Sequence, residues 1–420
     1  MREYRIVGGR RLCGVVPIHG AKNAVLPILA AASVCEDCRI SGCPELTDVA
    51  VSCRILEHLG METTLENGVL CTRRAGEGDP EIPDEWMRAM RSSIVFLGGV
   101  LARYHKASIC CPGGCSLGPR PIDLHLSSLH SMGAVITEEG SHIRCEAPHG
   151  LHGAAIHLPI PSVGATETVL IAGAAACGET VLTGAAREPE ITDLIRFLNT
   201  CGAKIEVEKD GTIRIEGQQS LHGGEHTVIP DRIAAATYLC AAAITGGEVT
   251  VLTDPSHLLA PLSMLQNAGC AVWQRGGVVT LRAPERLRSF GSVVTLPYPG
   301  FPTDLQAVFM ALSCMGRGIS TFTENIFESR FAHVEQLRRM GADITVMGRT
   351  AVVAGVSRLR GAKVTCTDLR GGAAVVLAAL AAQGESTIQE ISHIERGYEA
   401  FLPRLCRMGA DIRWLGDANE

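Results

Sequence analysis

Residues 331–346 read FAHVEQLRRMGADITV, and this stretch shows a turn from helix to strand that recurs along the whole chain. Apolar residues recur every three positions from Phe331 to Met340, which predicts one apolar face on an amphipathic helix. Gly341 follows at once, and a glycine ends helices readily because it enters the left-handed conformation without a steric penalty. The β-branched run at residues 344–346 then predicts a strand.

The same helix, glycine and strand occur six times along the chain. The glycines are spaced 67 to 73 residues apart and are Gly60, Gly133, Gly202, Gly269, Gly341 and Gly409. Upstream of each lies a nearly all-apolar segment, which as a helix must be buried on every side. These segments span residues 24–35, 93–103, 166–177, 233–244, 305–315 and 373–382. The repeated unit is therefore predicted to be strand, buried helix, strand, amphipathic helix, strand, strand.

Six units of this size predict globular lobes, because solenoid repeats are only about 20–45 residues long. We expect an α/β fold of two lobes, each with three βαβαββ units whose apolar helices lie inside a ring of sheets. One lobe would span residues 22–229, and the other residues 1–21 plus 230–420. A cleft between lobes is a common place for a small ligand.

Composition limits the class of protein. The 420 residues are 46% hydrophobic and 20% charged, with a net charge of −6, which is typical of a large globular protein and gives no sign of a nucleic-acid partner. The N-terminal residues lack a signal-peptide pattern, and the apolar stretches are shorter than a membrane span. We expect a cytoplasmic protein with no membrane partner, whose 17 cysteines are reduced thiols.

Cys35 and Cys38 form a CxxC pair that has neither a second pair nor two histidines at zinc-finger spacing. We interpret them as incidental thiols in a helix-to-strand connection and expect no metal site.

A glycine-rich loop carries one cysteine in a different setting. Residues 112–120 read PGGCSLGPR, where Gly113 and Gly118 have the spacing of a nucleotide phosphate loop. The required Lys-Ser/Thr is replaced by Pro119 and Arg120, which excludes that motif. What remains is Cys115 near a guanidinium, and such a neighbour favours the reactive thiolate. A reactive thiol and an idle one both remain open at this point.

Polar and charged residues precede four of the six apolar helices: Lys22 and Asn23, Arg91, Asp304, and Asp368 with Arg370. Helix N-termini favour anions because their N–H groups are free and the dipole is positive there. Together with Arg120, Arg330 and Arg396, they would form a cation cluster suited to a small, highly charged anion. For any one of these arginines, a solvated surface ion pair is the alternative interpretation.

Eight motifs together resemble the enolpyruvyl transferases that act on UDP-N-acetylglucosamine. They span the chain and read GAKNAVLPILAA, PGGCSLGPRPIDLH, PSVGATET, PDRIAAATYL, GFPTDLQA, ENIFESRF, DLRGGAA and HIERGYE. The resemblance implies an inside-out α/β barrel fold. It also implies transfer of the enolpyruvyl group of phosphoenolpyruvate to the 3-hydroxyl of UDP-N-acetylglucosamine with release of phosphate. This is the first committed step of peptidoglycan synthesis, linked to cell-wall biogenesis, cell shape and cell division. We expect a monomer that needs no cofactor.

The resemblance also implies roles for individual residues. Cys115 would protonate the methylene carbon of phosphoenolpyruvate and can form an adduct with it, so it must be a thiol at that moment. Asp304 would lie at the sugar hydroxyl as a base or orienting group, and Lys22 and Arg396 would also be catalytic. The residues implied to bind phosphoenolpyruvate are Lys22, Asn23, Arg120, Arg330, Arg370 and Arg396. Those implied to bind the UDP-sugar are Asn23, Arg91, Arg120, Pro121, Ile122, Asp123, Leu124, Ser162, Val163, Gly164, Asp304 and Ile326.

The chain departs from the family pattern at two helix starts. PDRI continues with Ala234 and Ala235 where a glutamate and a glycine are typical, and DLR continues with Gly371 and Gly372 where an alanine or serine is usual. Three alternatives remain open. The first is an enolpyruvyl transferase acting on shikimate 3-phosphate, an enzyme that lacks this cysteine loop. The second is a catalytically weak paralogue that binds the UDP-sugar, and the third is a thiol-redox protein.

Overall fold

The chain divides into two compact units in a computed structural model. The model describes residues 3–110, 122–140, 142–218 and 220–415. One unit, here called the Lys22 unit, comprises the described residues within 20–110 and 122–229. The other, the Asp304 unit, comprises residues 3–19 and 230–415.

Six helices are almost entirely buried, which confirms the prediction for the six apolar segments. They are α1 (Lys22–Ala32), α4 (Phe96–Tyr104), α6 (Val163–Ala174), α8 (Arg232–Thr245), α10 (Gln306–Met315) and α12 (Leu369–Ala381). Short 3-10 turns, Arg91–Val95 and Thr303–Leu305, lead into α4 and α10. Among the described residues, no helix combines the length and the apolar character that a membrane span requires.

Six amphipathic helices follow the predicted pattern. They are α2 (Thr47–His58), α5 (Asp123–Ser131), α7 (Pro189–Thr200), α9 (Leu259–Asn267), α11 (Val334–Arg339) and α14 (Phe401–Arg407). The glycine after each has a φ between +74° and +104°, the left-handed region that the sequence predicted. The helix expected from Phe331 begins only at Val334, because residues 331–333 belong to the turn after Arg330. Two short helices were not predicted, α3 (Asp84–Ala89) and α13 (Ser392–Glu395).

Each unit contains three sheets, and five of the six have four strands. In the Asp304 unit the strands are β1 (Glu3–Val7), β2 (Cys13–Pro17), β14 (Glu248–Leu252), β15 (Ala271–Arg275), β16 (Val278–Arg282), β17 (Ser292–Val294), β18 (Ile319–Thr323), β19 (Asp343–Met347), β20 (Thr350–Ala354), β21 (Lys363–Thr365), β22 (Glu385–Gln389) and β23 (Asp411–Leu415). Their orders are β2-β14-β16-β15, β17-β18-β20-β19 and β21-β22-β1-β23.

In the Lys22 unit the strands are β3 (Cys38–Ser41), β4 (Met61–Glu66), β5 (Val69–Arg74), β6 (Lys106–Cys110), β7 (Val135–Glu139), β8 (His142–Glu146), β9 (Ala155–His157), β10 (Glu179–Thr183), β11 (Lys204–Val207), β12 (Ile213–Glu216) and β13 (Glu225–Thr227). Their orders are β13-β3-β5-β4, β6-β8-β7 and β9-β10-β12-β11. In the three-stranded sheet, a single parallel bridge between Glu81 and Ser108 marks the position of the missing edge strand.

Some repeats complete their sheets with strands from distant parts of the chain. The first repeat takes its parallel edge strand, β13, from residues that follow the third repeat. In the other unit, β2 pairs in parallel with β14, and β1 lies between β22 and β23. Parallel partners need a long crossover connection, so the edge strand comes from a distant part of the chain.

Three buried helices contact one another in each unit: α1, α4 and α6 in one, and α8, α10 and α12 in the other. Small residues allow this close packing. A Cβ atom added to Gly98 of α4 would lie 2.7 Å from the carbonyl oxygen of Thr168 in α6. The two resulting cores are separate clusters, one for each unit. The N-terminal turns of these helices carry most of the polar residues that the sequence predicted to be functional.

Candidate active site

Asp304 lies between two buried arginines in the Asp304 unit. Arg330 donates from Nη2 to one carboxylate oxygen at 2.8 Å, and Arg370 donates from Nη2 to the other at 3.2 Å. Each arginine is only 4% exposed, whereas 26% of the Asp304 side chain is accessible. The Asp304 side chain is therefore partly accessible, while a guanidinium ion holds each of its two carboxylate oxygens.

The charges around Asp304 decide its ionisation. Burial by itself would raise the pKa of Asp304, but the guanidinium groups of Arg370, Arg330 and Arg232 outweigh it and hold the pKa well below its usual range. Burial would also lower the pKa of Arg370, and the Asp304 charge more than reverses this. At neutral pH the group is thus a carboxylate with two bound guanidinium ions. Such a carboxylate is a weak base and a strong hydrogen-bond acceptor.

The start of α12 fixes Arg370. The Asp368 carboxylate caps this helix, accepting hydrogen bonds from the backbone N–H groups of Arg370 at 3.0 Å and Gly371 at 2.9 Å. The Arg370 guanidinium lies 5.3 Å from the ring centroid of Tyr398, whose hydroxyl contacts Thr237 Oγ1 at 3.0 Å. Helix cap and ring together hold the arginine toward Asp304.

Glu324 organises the segment beside Asp304 and was missed by the sequence analysis. It is 1% exposed and accepts hydrogen bonds from the hydroxyls of Thr303 and Thr295, both at 2.9 Å. It also accepts from the backbone N–H groups of Ile326 at 2.9 Å and Phe327 at 3.1 Å. Glu324 thereby joins the turn that carries Asp304 to the loop that carries Ile326. Its position at the head of the ENIFESRF motif was the available signal.

We expect Glu324→Gln to lower the free energy of unfolding by about 1–3 kcal/mol. The amide NH₂ of glutamine cannot accept a hydrogen bond, so some of the hydroxyl and N–H groups that donate to Glu324 would lose their acceptor. The KM for the UDP-sugar that the family resemblance implies as substrate should rise, since Ile326 and Asp304 lose their common support. Thermal unfolding and steady-state kinetics measure both effects. The control is Glu328→Gln in the same loop, whose side chain is 65% exposed. If the two variants behave alike, Glu324 does not support the loop.

The departure at Gly371 has a steric reason. A Cβ atom there would lie 2.7 Å from Asp368 Oδ2, 2.8 Å from Thr367 Oγ1 and 3.0 Å from His333 Cβ. These neighbours leave no room for an alanine in the present conformation of the cap.

Gly371→Ala should therefore displace the Asp368 cap and with it Arg370, lowering stability by about 1–3 kcal/mol and reducing kcat. Gly76→Ala is the matched control, because a Cβ atom at Gly76 meets nothing within 4 Å. Unfolding curves and kcat for both variants test this, and an unchanged Gly371→Ala protein would contradict it.

The departure at Ala234 leaves the helix cap intact. Asp231 accepts hydrogen bonds from the backbone N–H groups of Ile233 and Ala234, both at 2.8 Å. Arg232, which the sequence analysis did not single out, is 7% exposed, and its guanidinium lies 5.7 Å from the Tyr298 ring centroid. Its charge also acts on Asp304. Arg396 is half-buried at the end of α13, a helix that packs against α12.

In the Lys22 unit, Lys22 is the first residue of α1 and forms a buried ion pair. Its Nζ lies 2.6 Å from Asp48 Oδ2, with side-chain exposures of 11% and 6%. Asp48 belongs to the first turn of α2, and nothing in the sequence pattern singled it out. Asn23 follows Lys22 and is exposed. The pair fixes the ammonium group at the N-terminus of a buried helix.

Three predicted sugar-binding residues surround one buried histidine in the same unit. His125 Nδ1 lies 2.8 Å from Thr168 Oγ1, and a Cβ atom on Gly164 would lie 2.9 Å from His125 Cε1. Burial, together with the charge of Arg91, lowers the pKa of His125 to about 4, and the charge of Asp123 opposes this shift. His125 is therefore neutral near pH 7 and packs as a spacer between these residues.

Ser162, Val163, Ile122 and Leu124, four further predicted sugar-binding residues, lie at helix starts. Ser162 caps α6, its hydroxyl accepting from the Ala165 N–H at 3.4 Å, and Val163 begins that helix. Ile122 precedes α5, and Leu124 is its second residue. The 3-10 turn that begins at Arg91 packs against both α1 and α6. Cys115, Arg120 and Pro121 lie outside the described residues.

A family model described as EPSP synthase (3-phosphoshikimate 1-carboxyvinyltransferase) matches residues 6–405. This chain belongs to that family. Curated relatives are similar along their whole length. A protein of Symbiobacterium thermophilum named UDP-N-acetylglucosamine 1-carboxyvinyltransferase 1 is 49% identical over 417 residues, covering 98% of this chain and 94% of the relative. One of Caldanaerobacter subterraneus subsp. tengcongensis, named UDP-N-acetylglucosamine 1-carboxyvinyltransferase 2, is 47% identical over 414 residues, covering 98% and 99%.

Solved structures of family members show the same fold, which confirms the predicted α/β class. The enolpyruvyl transferase NikO from Streptomyces tendae has a TM-score of 0.89 and 25% identity, and the match covers 98% of both chains. An EPSP synthase from Acinetobacter baumannii has a TM-score of 0.77 and 19% identity, covering 99% of this chain and all of the other.

Proposed function

We propose that this enzyme transfers the enolpyruvyl group of phosphoenolpyruvate to the 3-hydroxyl of UDP-N-acetylglucosamine and releases phosphate. The observation that carries the proposal is the ionised Asp304, held between Arg330 and Arg370 with its side chain 26% accessible. The names of relatives 44–49% identical to this chain supply the acceptor, UDP-N-acetylglucosamine, and the carboxyvinyl group that is transferred, and the family resemblance implies phosphoenolpyruvate as the donor.

The first step is an addition across the enol double bond. A proton from the Cys115 thiol adds to the methylene carbon of phosphoenolpyruvate, which leaves a thiolate. The sugar 3-oxygen bonds to the neighbouring carbon and, as that bond forms, passes its own proton to the Asp304 carboxylate. The developing positive charge requires a placed acid and a placed nucleophile. Asp304 accepts the hydrogen bond of the 3-hydroxyl and orients its oxygen. Its depressed pKa makes orientation, rather than early proton abstraction, the larger contribution.

The second step is an elimination from the resulting tetrahedral adduct. The carbon–oxygen bond to phosphate breaks, a proton passes from the methyl group to the Cys115 thiolate, and the double bond of the enolpyruvyl ether forms. The departing phosphate takes up the proton that the sugar hydroxyl released in the first step. Phosphate departs as a dianion, so fixed cations lower the energy of this step. We assign that role to Lys22, Arg120 and Arg396. Arg330 and Arg370 contribute positive charge beside Asp304.

Several residues that we propose to bind the UDP-sugar lie at helix starts or in the loops beside them. Arg91 and the N-terminus of α6 at Ser162 to Gly164 offer a guanidinium and free N–H groups, both suited to an anionic diphosphate. Asn23 and residues 120–124 would complete the contacts, together with Ile326. We place the protein in the cytoplasm as a monomer acting in peptidoglycan synthesis.

The deciding experiment measures phosphate release from phosphoenolpyruvate by the purified protein. We expect release only when UDP-N-acetylglucosamine is present. Equal release with shikimate 3-phosphate would favour the alternative enolpyruvyl transferase. Binding of the UDP-sugar without any release would favour a catalytically weak paralogue.

A further inference from the structure

Three cysteines from distant positions meet in the core of the Lys22 unit. The sulfur atoms of Cys35, Cys38 and Cys201 all lie within 4.8 Å of one another. Their exposures are 0%, 3% and 0%, and all three are free thiols. Sequence analysis interpreted the CxxC pair as incidental because no further ligand was visible. The third thiol is 163 residues away from Cys38 along the chain.

The backbone holds the three sulfurs in place. Cys35 follows α1 and forms a parallel bridge with Leu221, and Cys38 is the first residue of β3. Cys201 is the C-cap of α7, a helix that packs against α1. Because each cysteine sits at the end of a regular element, their relative positions are set by packing of the whole unit.

Two further residues lie beside the cluster. Thr72 lies directly opposite Cys38 in the β3–β5 pairing and is buried. Among the described residues, its hydroxyl oxygen has no hydrogen-bond partner. Gly224 approaches Cys201 closely, since a Cβ atom there would lie 3.2 Å from Cys201 Sγ. A hydroxyl beside the cluster can donate to a ligating thiolate and so stabilise it.

The spacing fits one ion bound by three sulfurs. With metal–sulfur bonds of about 2.3 Å, three sulfurs around one ion lie roughly 4 Å apart, so small side-chain rotations suffice. Among the described residues, no other histidine, cysteine or carboxylate belongs to the group. Zinc prefers four ligands in a structural site, whereas a soft monovalent ion is satisfied by thiolates alone.

We propose that Cys35, Cys38 and Cys201 form a three-sulfur binding site for a single Cu(I) ion. Each thiol that ligates the ion releases its proton to solvent, so binding strengthens as pH rises. The site shares no residue with the transfer reaction and is independent of the proposed function. Bound ion would tie α1, β3 and α7 together and stabilise the Lys22 unit.

The test uses untagged, reduced protein titrated with Cu(I) under anaerobic conditions against a competing Cu(I) chelator. We expect the wild type to retain about one ion per chain and to show a higher melting temperature when loaded. Cys38→Ser and Cys201→Ser should each weaken retention on the order of 100-fold or more. Cys145→Ser removes a buried thiol of the same unit outside the cluster and should retain the ion as the wild type does.

X-ray absorption spectroscopy of the Cu(I)-loaded wild type makes the test independent of how the variants fold. We expect the copper ion to have three sulfur neighbours and no nitrogen neighbour. Retention that is equal in Cys145→Ser and Cys38→Ser would overturn the proposal. Preferential retention of Zn(II) by the wild type, or a copper spectrum with two sulfurs only, would overturn it as well.

Discussion

Asp304→Asn is expected to lower kcat for phosphate release by about 10²- to 10⁴-fold, the range that a positioned acid–base group contributes. The amide keeps the size of the side chain but loses the charge that Arg330 and Arg370 neutralise. It also turns one acceptor oxygen into a donor, so the sugar hydroxyl is no longer held for attack. Because the interaction matters most in the transition state, kcat and kcat/KM should fall together.

The pH dependence separates this role from that of a simple base. The pKa of Asp304 lies well below its usual range, so the carboxylate is ionised throughout the neutral region and its titration sets no limb of the rate profile there. Loss of activity in Asp304→Asn should therefore be the same across that region. The control is Asp411→Asn, which removes a carboxylate paired with Arg10 at 2.8 Å in the same unit. If Asp304→Asn keeps wild-type kcat, Asp304 has no place in the reaction.

Lys22→Met is expected to affect stability and activity at once. It leaves the Asp48 carboxylate, 6% exposed, without the cation that lies 2.6 Å away. Breaking a buried pair from one side costs about 3 kcal/mol. For a chain of 420 residues that corresponds to a drop in melting temperature of roughly 3 °C. Activity should fall further, because the proposed contact with the phosphate of phosphoenolpyruvate is lost.

The double variant Lys22→Met/Asp48→Asn distinguishes the two effects. Neutralising Asp48 removes the uncompensated charge, so the melting temperature should recover while phosphate release stays low. Lys204→Met serves as control, because its pair with Glu216 is exposed on both sides and contributes at most about 1 kcal/mol. Recovery of activity together with stability would show that Lys22 supports the fold rather than the substrate.

The residues of the candidate active site show how far a sequence can lead. Asp304, Arg370 and Lys22 were singled out because they stand at the starts of apolar helices, which are local features of the chain. Glu324 and Asp48 were missed because their importance comes from partners. Glu324 meets Thr295 across 29 residues, and Asp48 meets Lys22 from another helix. The roles proposed for Cys115 and Arg120 still rest on the family resemblance.

The sequence by itself determined the repeated helix–glycine–strand turn, the six buried helices and the α/β class. These features follow from the spacing of apolar residues and from glycines at positions of positive φ. Both are local properties, because they depend only on residues that are neighbours along the chain. Only the tertiary structure decided that β1 and β13 complete the sheets of distant repeats. It likewise decided that Arg330 and Arg370 share Asp304 and that Cys201 joins Cys35 and Cys38. Such contacts depend on how whole helices and strands pack against one another. They cannot be inferred from the spacing of residues within a single helix or strand.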